Sequence, residues 1–282
     1  MTKLLDRYNS DKKIIFLHIP KAAGTTLNGI INQQYTRDTI FNLKGINDKD
    51  NFDKLCASKK DKIRILRGHM AFGLHNFLSY PCTYFTLLRN PIERVISHYY
   101  YIRNNPHYKR HKISQAKSIE DYLMSQEEKF NDLSNLQTKL LCGTSQVNWS
   151  KEIEVLEMAK FNLENYFAVV GITEKFDESM LILQHNFGWN IPVYIRQNVS
   201  KKPCPTGISE QTLKTIKCFN SLDIELYEYA KNIFETQLQL LDQTFSVKKK
   251  LKINQFTNQM YQPFGKLYSF SRSLTLKYLR KQ

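Results

Sequence analysis

The chain lacks any apolar run approaching the roughly 20 residues that span a bilayer. Its start, MTKLLDRYNSDKK, also lacks the apolar stretch of a signal peptide. A soluble, cytoplasmic protein is the expectation. The cysteines Cys56, Cys82, Cys142, Cys204 and Cys218 are odd in number and show no CxxC spacing. That pattern fits reduced thiols better than a disulfide framework or a zinc site. There are no internal repeats, and the NxS sequons at Asn148 and Asn198 mean little without an export signal. Acidic residues are scarce: Asp plus Glu number 26 against 41 Lys plus Arg, a formal +15. The excess favours polyanionic partners, whether nucleic acid, nucleotides, acidic glycans or anionic membranes, and charge alone does not choose among them. Nine of the cations lie between Lys248 and Lys281, a stretch with no Asp or Glu. The body is therefore mildly basic and the tail strongly so.

At 282 residues with 41% hydrophobic residues, the chain has enough apolar material for a substantial core. KKIIFLHI (12–19), KIRILRG (62–68), TYFTLLR (83–89) and FAVVGIT (167–173) are short, continuously apolar runs of the kind that form buried parallel strands. Helical patterns follow the first, third and fourth runs. The spacing predicts an α/β fold with a central parallel sheet and helices on both faces. The middle, 115–163, reads as helices with polar faces, and 222–241 reads as one long amphipathic helix. KKPCPTG (201–207) reads as a loop. The organisation expected is a catalytic domain over 1–245 and a basic tail over 246–282.

The first strand runs into IPKAAGTTL, where Pro20 stops the strand, Gly24 relieves the backbone, and Thr25 and Thr26 begin a helix. Helix N-terminal amides, hydroxyls and Lys21 together suit an anion such as phosphate. The GxxxxGK[ST] pattern is missing, because Lys21 precedes the glycine, and this argues against an ordinary ATPase or GTPase. The plain alternative is a strand-to-helix turn capped by Thr25. The third strand ends in LLRNPIERVISHYYY, with Arg89 at its carboxyl edge and Ser97 two turns into the next helix. A guanidinium and a hydroxyl there would suit a second phosphate. The plain alternative pairs Arg89 with Glu93 and leaves Ser97 a small helix residue.

HIPKAAGTTL resembles the loop of the carbohydrate sulfotransferases related to heparan sulfate 2-O-sulfotransferase, whose common form is close to H-I-P-K-T-G-G-T-S-L. TLLRNPIERVISHYY is similar to that family's 3′-phosphate motif. RGHMAFG, NLQTKLLCG, VVGITEKFDESMLIL and LDIELYEYA extend the likeness over about residues 12–240. The resemblance implies a P-loop-like sulfotransferase architecture and a donor, 3′-phosphoadenosine 5′-phosphosulfate (PAPS), released as PAP. It implies that Lys21, Ala22, Ala23, Gly24, Thr25 and Thr26 hold the 5′-phosphosulfate and that Arg89 and Ser97 hold the 3′-phosphate. Ala22 and Ala23 stand where Thr and Gly are common, which removes one hydroxyl donor. His69 matches the family's catalytic base and Lys21 its charge-stabilising cation, with a carbohydrate or glycoconjugate as acceptor. No metal is demanded, since a sulfuryl group carries less charge than a phosphoryl group, and nucleic acid is not an expected partner.

Several residues stay undecided at this point. His75 orients substrate or packs, while His18 reads as a core histidine. Tyr99, Tyr100 and Tyr101 stack a ligand or fill the core. Glu174 contacts the site or caps a helix, and Arg196 and Lys201 meet acceptor anions or do not. Two rival functions stay open, a nucleotide-dependent kinase and a non-catalytic binder of acidic glycan or nucleic acid. In the tail, Phe264, Leu267, Leu274, Tyr278 and Leu279 share one helical face with Lys266, Arg272, Lys277 and Arg280 largely off it. Such a segment either lies on an anionic membrane or packs on the domain.

Overall fold

The structure, a computed structural model, describes residues 12–43, 49–108, 111, 118–124, 133–143, 151–194 and 208–261. Its centre is a five-stranded sheet in the order β2-β3-β1-β4-β5. The strands are β1 (Lys13–Leu17), β2 (Ile40–Leu43), β3 (Ile65–Gly68), β4 (Cys82–Leu88) and β5 (Phe167–Ile172), and every pairing is parallel. All of β1 is buried on both pleat faces, as expected of a central parallel strand covered above and below. The expected strands appear with trimmed ends. The run at 62–68 yields only Ile65–Gly68, because the preceding lysine-rich segment forms a short helix, Ala57–Lys62. β2 was not expected. IFNL is short, pairs only with β3, and is exposed at its centre, so it has neither the length nor the continuous apolarity that marks its neighbours.

The principal helices are α1 (Gly24–Gln34), α2 (Pro91–Arg103), α3 (Leu136–Cys142), α4 (Glu152–Tyr166), α5 (Phe176–Phe187), α6 (Glu210–Phe219), α7 (Ser221–Thr244) and α8, residues 247–261. A large core joins the strands to α1, α3, α4, α5 and α7. A second cluster, with Val95, Ile96, Tyr99, Ile102, Tyr122, Leu123, Leu133 and Ile216, fastens α2 to α6 and the short helix Ile119–Met124. The boundary drawn at residue 245 falls between α7 and α8, and α8 packs back on the domain. Val247 is buried in the main core, Asn254 donates to Gln184 Oε1 at 2.8 Å, and Asn258 accepts from the Tyr194 backbone at 2.7 Å. The packed body therefore runs on to 261. The loop reading at 201–207 lies outside the described residues, as do both sequons.

Two helices are held beneath the sheet edge by charge. Arg94 on α2 and Asp223 on α7 are fully buried and approach to 4.0 Å. Asp223 also accepts from the Gln137 and Thr138 backbone amides at 3.1 and 2.7 Å and from the Thr138 hydroxyl at 2.8 Å, which caps α3. Removing one member of such a pair leaves a buried charge uncompensated, typically at about 3–5 kcal/mol. Asp223→Ala is expected to lose stability of that order in urea unfolding, whereas a loss within about 0.5 kcal/mol, the range of an ordinary surface change, would show that the pair does not organise the fold.

Candidate active site

β3, β1 and β4 end side by side at one edge of the sheet, and each delivers a segment noted in the sequence. β1 leads to Lys21, β3 to His69 and β4 to Arg89. Ligands of open α/β sheets bind at this carboxyl edge.

The ladder between β1 and β3 ends with the His18 amide donating to the Gly68 carbonyl at 3.0 Å. His69 Nδ1 lies 2.9 Å from the His18 carbonyl oxygen. A carbonyl only accepts, so Nδ1 carries the proton and Nε2 of the neutral ring keeps its lone pair. His69 is exposed, so that lone pair belongs to a ring open to solvent. The His18 ring lies against His69, centroids 4.0 Å apart. A Cβ on Gly24 would sit 1.6 Å from His18 Nε2, so only glycine at 24 admits this ring. His18, largely buried as a core histidine would be, follows the strand and lies against both the loop at Gly24 and the ring of His69. Burial, then the charges of His69, Arg67 and Lys21, push its pKa down to about 3.

The loop itself is tightly wound. Lys21 and Ala23 have positive φ values of 71° and 56°. The Ala22 amide donates to the Ile19 carbonyl at 3.2 Å, and α1 begins at Gly24 with Ala23 as its cap. The alternative in which Thr25 caps the helix is therefore displaced by two residues, since Ala23 holds the cap position and Thr25 and Thr26 lie inside the first turn. Thr25 is exposed and Thr26 buried. The capping residue, Ala23, has no polar side chain to bond the amides at this N-terminus, a point of partial positive charge. The Lys21 ammonium lies 4.1 Å from the Tyr101 ring centre. Burial, then the Arg89 charge, lowers its pKa.

Arg89 reaches across from β4, donating through Nη1 to the Lys21 carbonyl at 3.1 Å, while its Nη2 stands 3.5 Å from Glu93. The Glu93 pairing therefore exists, at long range and beside the contact with the loop. Glu93, Ser97 and Tyr101 follow at intervals of four along α2. One end of that stripe meets Arg89 and the other meets Lys21, so the half-buried Ser97 lies between them. The Arg89 peptide is gripped on both sides: Gln137 accepts from its amide and donates to its carbonyl, each at 2.9 Å. Glu174 accepts from the Asn90 amide and from the Tyr227 hydroxyl, both at 2.9 Å, and so braces the start of α2.

Not every candidate reaches this edge. His75 bonds the Tyr84 hydroxyl and packs with Phe72 and Tyr166, near the start of β4 rather than its end. Tyr99 is core, and Tyr100 stands partly exposed beside it. Arg196 and Lys201 lie outside the described residues. Sequence reading missed Gln137, Tyr101 as the partner of Lys21, and Arg67, which donates to Asn42 Oδ1 at 2.8 Å and to the Asn28 carbonyl at 3.0 Å, tying β3 to β2 and α1. The four-residue spacing from Glu93 to Tyr101 was the available signal for Tyr101. Gln137 left none, because its partners are backbone atoms distant in sequence. Among the described residues no His, Cys, Asp and Glu side chains gather in a metal-holding group.

The model of the sulfotransferase family matches residues 7–230, which contain the whole of this edge. The chain belongs to the sulfotransferase family. Among curated proteins it is similar to heparan sulfate 2-O-sulfotransferase 1 of Gallus gallus, 26% identical over 194 residues, covering 62% of this chain and 54% of that one. It also matches the heparin sulfate O-sulfotransferase of Drosophila melanogaster, 28% identical over 195 residues, covering 62% and 55%. Heparan-sulfate 6-O-sulfotransferase 2 of Gallus gallus is 26% identical over 186 residues, covering 57% and 46%. This sulfotransferase-family chain spans about half the length of the curated relatives it matches. The structure of mouse sulfotransferase SULT7A1 complexed with PAP aligns at a TM-score of 0.37 with 12% identity, covering 77% of this chain and 65% of that one.

The buried, neutral His18 gives this family member an acid liability. The unfolded chain protonates His18 near 6.5 and the folded one only near 3, so the unfolded state binds more protons across that window. The stability contributed by the neutral ring is fully present above about 6.5 and is lost as pH falls toward about 3, by on the order of 1 kcal/mol per pH unit. Urea unfolding at neutral and mildly acid pH measures this slope. His18→Asn is expected to flatten it, and an unchanged slope in the variant would remove His18 as its source.

Proposed function

We propose that this protein transfers the sulfuryl group of PAPS to a hydroxyl of a carbohydrate or glycoconjugate, releasing PAP. The observation that carries the reading is the convergence of Lys21, His69 and Arg89 at the ends of three adjacent strands, with the His69 Nδ1 proton committed to the His18 carbonyl. PAPS brings an already activated sulfuryl group on a phosphate leaving group, so the chain's task is positioning, proton removal and charge stabilisation.

In this proposal the amides at the start of α1, with Thr25 and Thr26, receive the 5′-phosphosulfate. Ala22 and Ala23 contribute backbone only. Arg89 and Ser97 receive the 3′-phosphate, since they share the face of α2 that meets the loop. The site fits an anion on its own terms: Lys21 is half-buried and desolvated beside a second cation, an arrangement that an incoming phosphate relieves. His69 Nε2 takes the acceptor's proton as the acceptor oxygen bonds to sulfur and the bond from sulfur to the phosphate oxygen breaks. Lys21 meets the negative charge that collects on that oxygen. The acceptor class rests on the heparan sulfate sulfotransferases named above. A cytoplasmic location is part of the proposal, supported by free thiols at Cys56, Cys82, Cys142 and Cys218.

Labelled PAPS incubated with a panel of acceptors, read by mass spectrometry of the product, tests the whole reading. PAPS should protect the fold against heat better than ATP, and the reverse order would favour a kinase. His69→Ala should retain PAPS binding and lose transfer by about 10²-fold or more. A variant keeping more than about a third of wild-type turnover would rule out His69 as the base.

Arg89→Ala should abolish the preference for PAP over AMP. A charge-assisted contact is worth about 1.5–3 kcal/mol, so wild type should favour PAP by roughly ten- to a hundredfold in calorimetry. Equal affinity of the wild type for PAP and AMP would sink the 3′-phosphate assignment.

A further inference from the structure

Helix α8 presents two opposed faces. Val247, Leu251, Asn254 and Asn258 turn toward the domain, with Val247 and Leu251 on the main core and the two asparagines bonded to Gln184 and Tyr194. Ile253, Phe256 and Met260 are 46%, 64% and 59% exposed. At the helical repeat their row is centred about 180° from the packed row. Isolated exposed apolar residues are ordinary on any surface, but large ones at i, i+3 and i+7 on one outward face are a stripe. Lys248, Lys249, Lys250 and Lys252 are all exposed around the first turn, and Lys249 falls within the stripe itself, four residues before Ile253.

We propose that this outward face docks on an anionic lipid bilayer, with α8 lying in the plane of the interface. The occupant follows from charge and apolarity together. A second copy of the face would bring the same lysines against these. Residues 262–282, folding back, would add Lys266, Arg272, Lys277, Arg280 and Lys281 with no carboxylate to offset them. Nucleic acid or an acidic glycan would satisfy the lysines and leave Phe256 and Met260 in water. An anionic bilayer satisfies both: lipid headgroups meet the ammonium groups, and the acyl boundary takes the apolar row. Among the described residues no helix is long and apolar enough to cross a membrane, and α8 itself is proposed to lie in the interface and not to span it. The apolar positions noted from 264 to 279 lie outside the described residues.

The test is flotation of the full chain with phosphatidylcholine vesicles and with phosphatidylcholine–phosphatidylglycerol vesicles. Wild type should float with the mixed vesicles and not with phosphatidylcholine alone. Phe256→Ser combined with Met260→Ser should lower the partition by at least about tenfold. Because both positions point outward, the thermal midpoint and retention on heparin should stay unchanged. Lys249→Glu with Lys252→Glu should reduce flotation by a separate route and reduce heparin retention as well. Failure of wild type to float with anionic vesicles overturns the proposal, as does flotation of the Phe256/Met260 variant equal to wild type. Parallel loss of heparin retention in that variant would assign the face to a soluble polyanion instead. A wild-type dimer that the same variant dissolves would assign it to a second copy.

Discussion

A charge pair with no access to water sets the geometry of this molecule. Arg94 and Asp223 are both completely buried, and such a pair persists only where further hydrogen bonds occupy the remaining lone pairs. Asp223 meets that condition by accepting from Gln137 and Thr138, which fixes where α3 begins. The same corner is tied again by Asn135, which accepts from the Leu222 and Asp223 amides, and by Asn220, which accepts from Asn135 and donates to the Leu133 carbonyl. With α3 so placed, the Gln137 side chain reaches the peptide of Arg89. A residue proposed to read phosphate thus owes its backbone position to an ion pair on two helices behind the sheet. Loss of the pair should be felt as misplacement of the β4–α2 junction as well as loss of stability.

At the working edge the electrostatics run the other way, toward crowded positive charge with little compensation. The Arg89 charge adds to burial in lowering the pKa of Lys21, and among the described residues the carboxylate that reaches this pair is Glu93, 3.5 Å from Arg89. Tyr101 offers Lys21 the face of a ring rather than a full charge, an attraction of about 0.5–2 kcal/mol that an arriving phosphate readily exceeds. His18 is held neutral amid these cations, so it supplies shape and a carbonyl without adding to the charge. The site is left with a deficit that an anionic ligand removes.

Much of this was legible in sequence where the signal is local. Continuous apolar runs located β1, β3, β4 and β5, and their alternation with helical patterns gave the parallel α/β class. The order of Lys21, His69 and Arg89, each just past a strand, located the edge, because in a parallel sheet all such positions share one side. What escaped depended on contacts remote in sequence. β2 is a one-sided edge strand with too little apolar surface to be marked. His18 looked like strand interior until the sheet order put β1 beside β3 and brought its ring against His69. The grip of Gln137 on Arg89 spans 48 residues and leaves no periodic trace. The helical packing of α8 left no clear mark in the sequence because its packed face is half polar, bonding through Asn254 and Asn258 rather than through leucines.

The loop between β1 and α1 shows how these remote contacts serve the site. Ala23 occupies a left-handed conformation in which the related loop commonly has glycine, and Lys21 does the same two residues earlier. A non-glycine residue there costs about 1–2 kcal/mol, so such a loop holds its shape only if its surroundings impose it. They do so from both sides. Arg89 holds the Lys21 carbonyl from β4, the Ile19 carbonyl closes a turn onto Ala22, and the His18 ring fills the space that Gly24 leaves open. A glycine at 23 would relax the strain and also widen the range of loop shapes in the absence of ligand. Alanine narrows that range, so the chain trades a little stability for a loop already wound before an anion arrives. That trade is sound only because β4 and the helices behind it keep Arg89 still, which returns the demand to Gln137, Asp223 and Arg94.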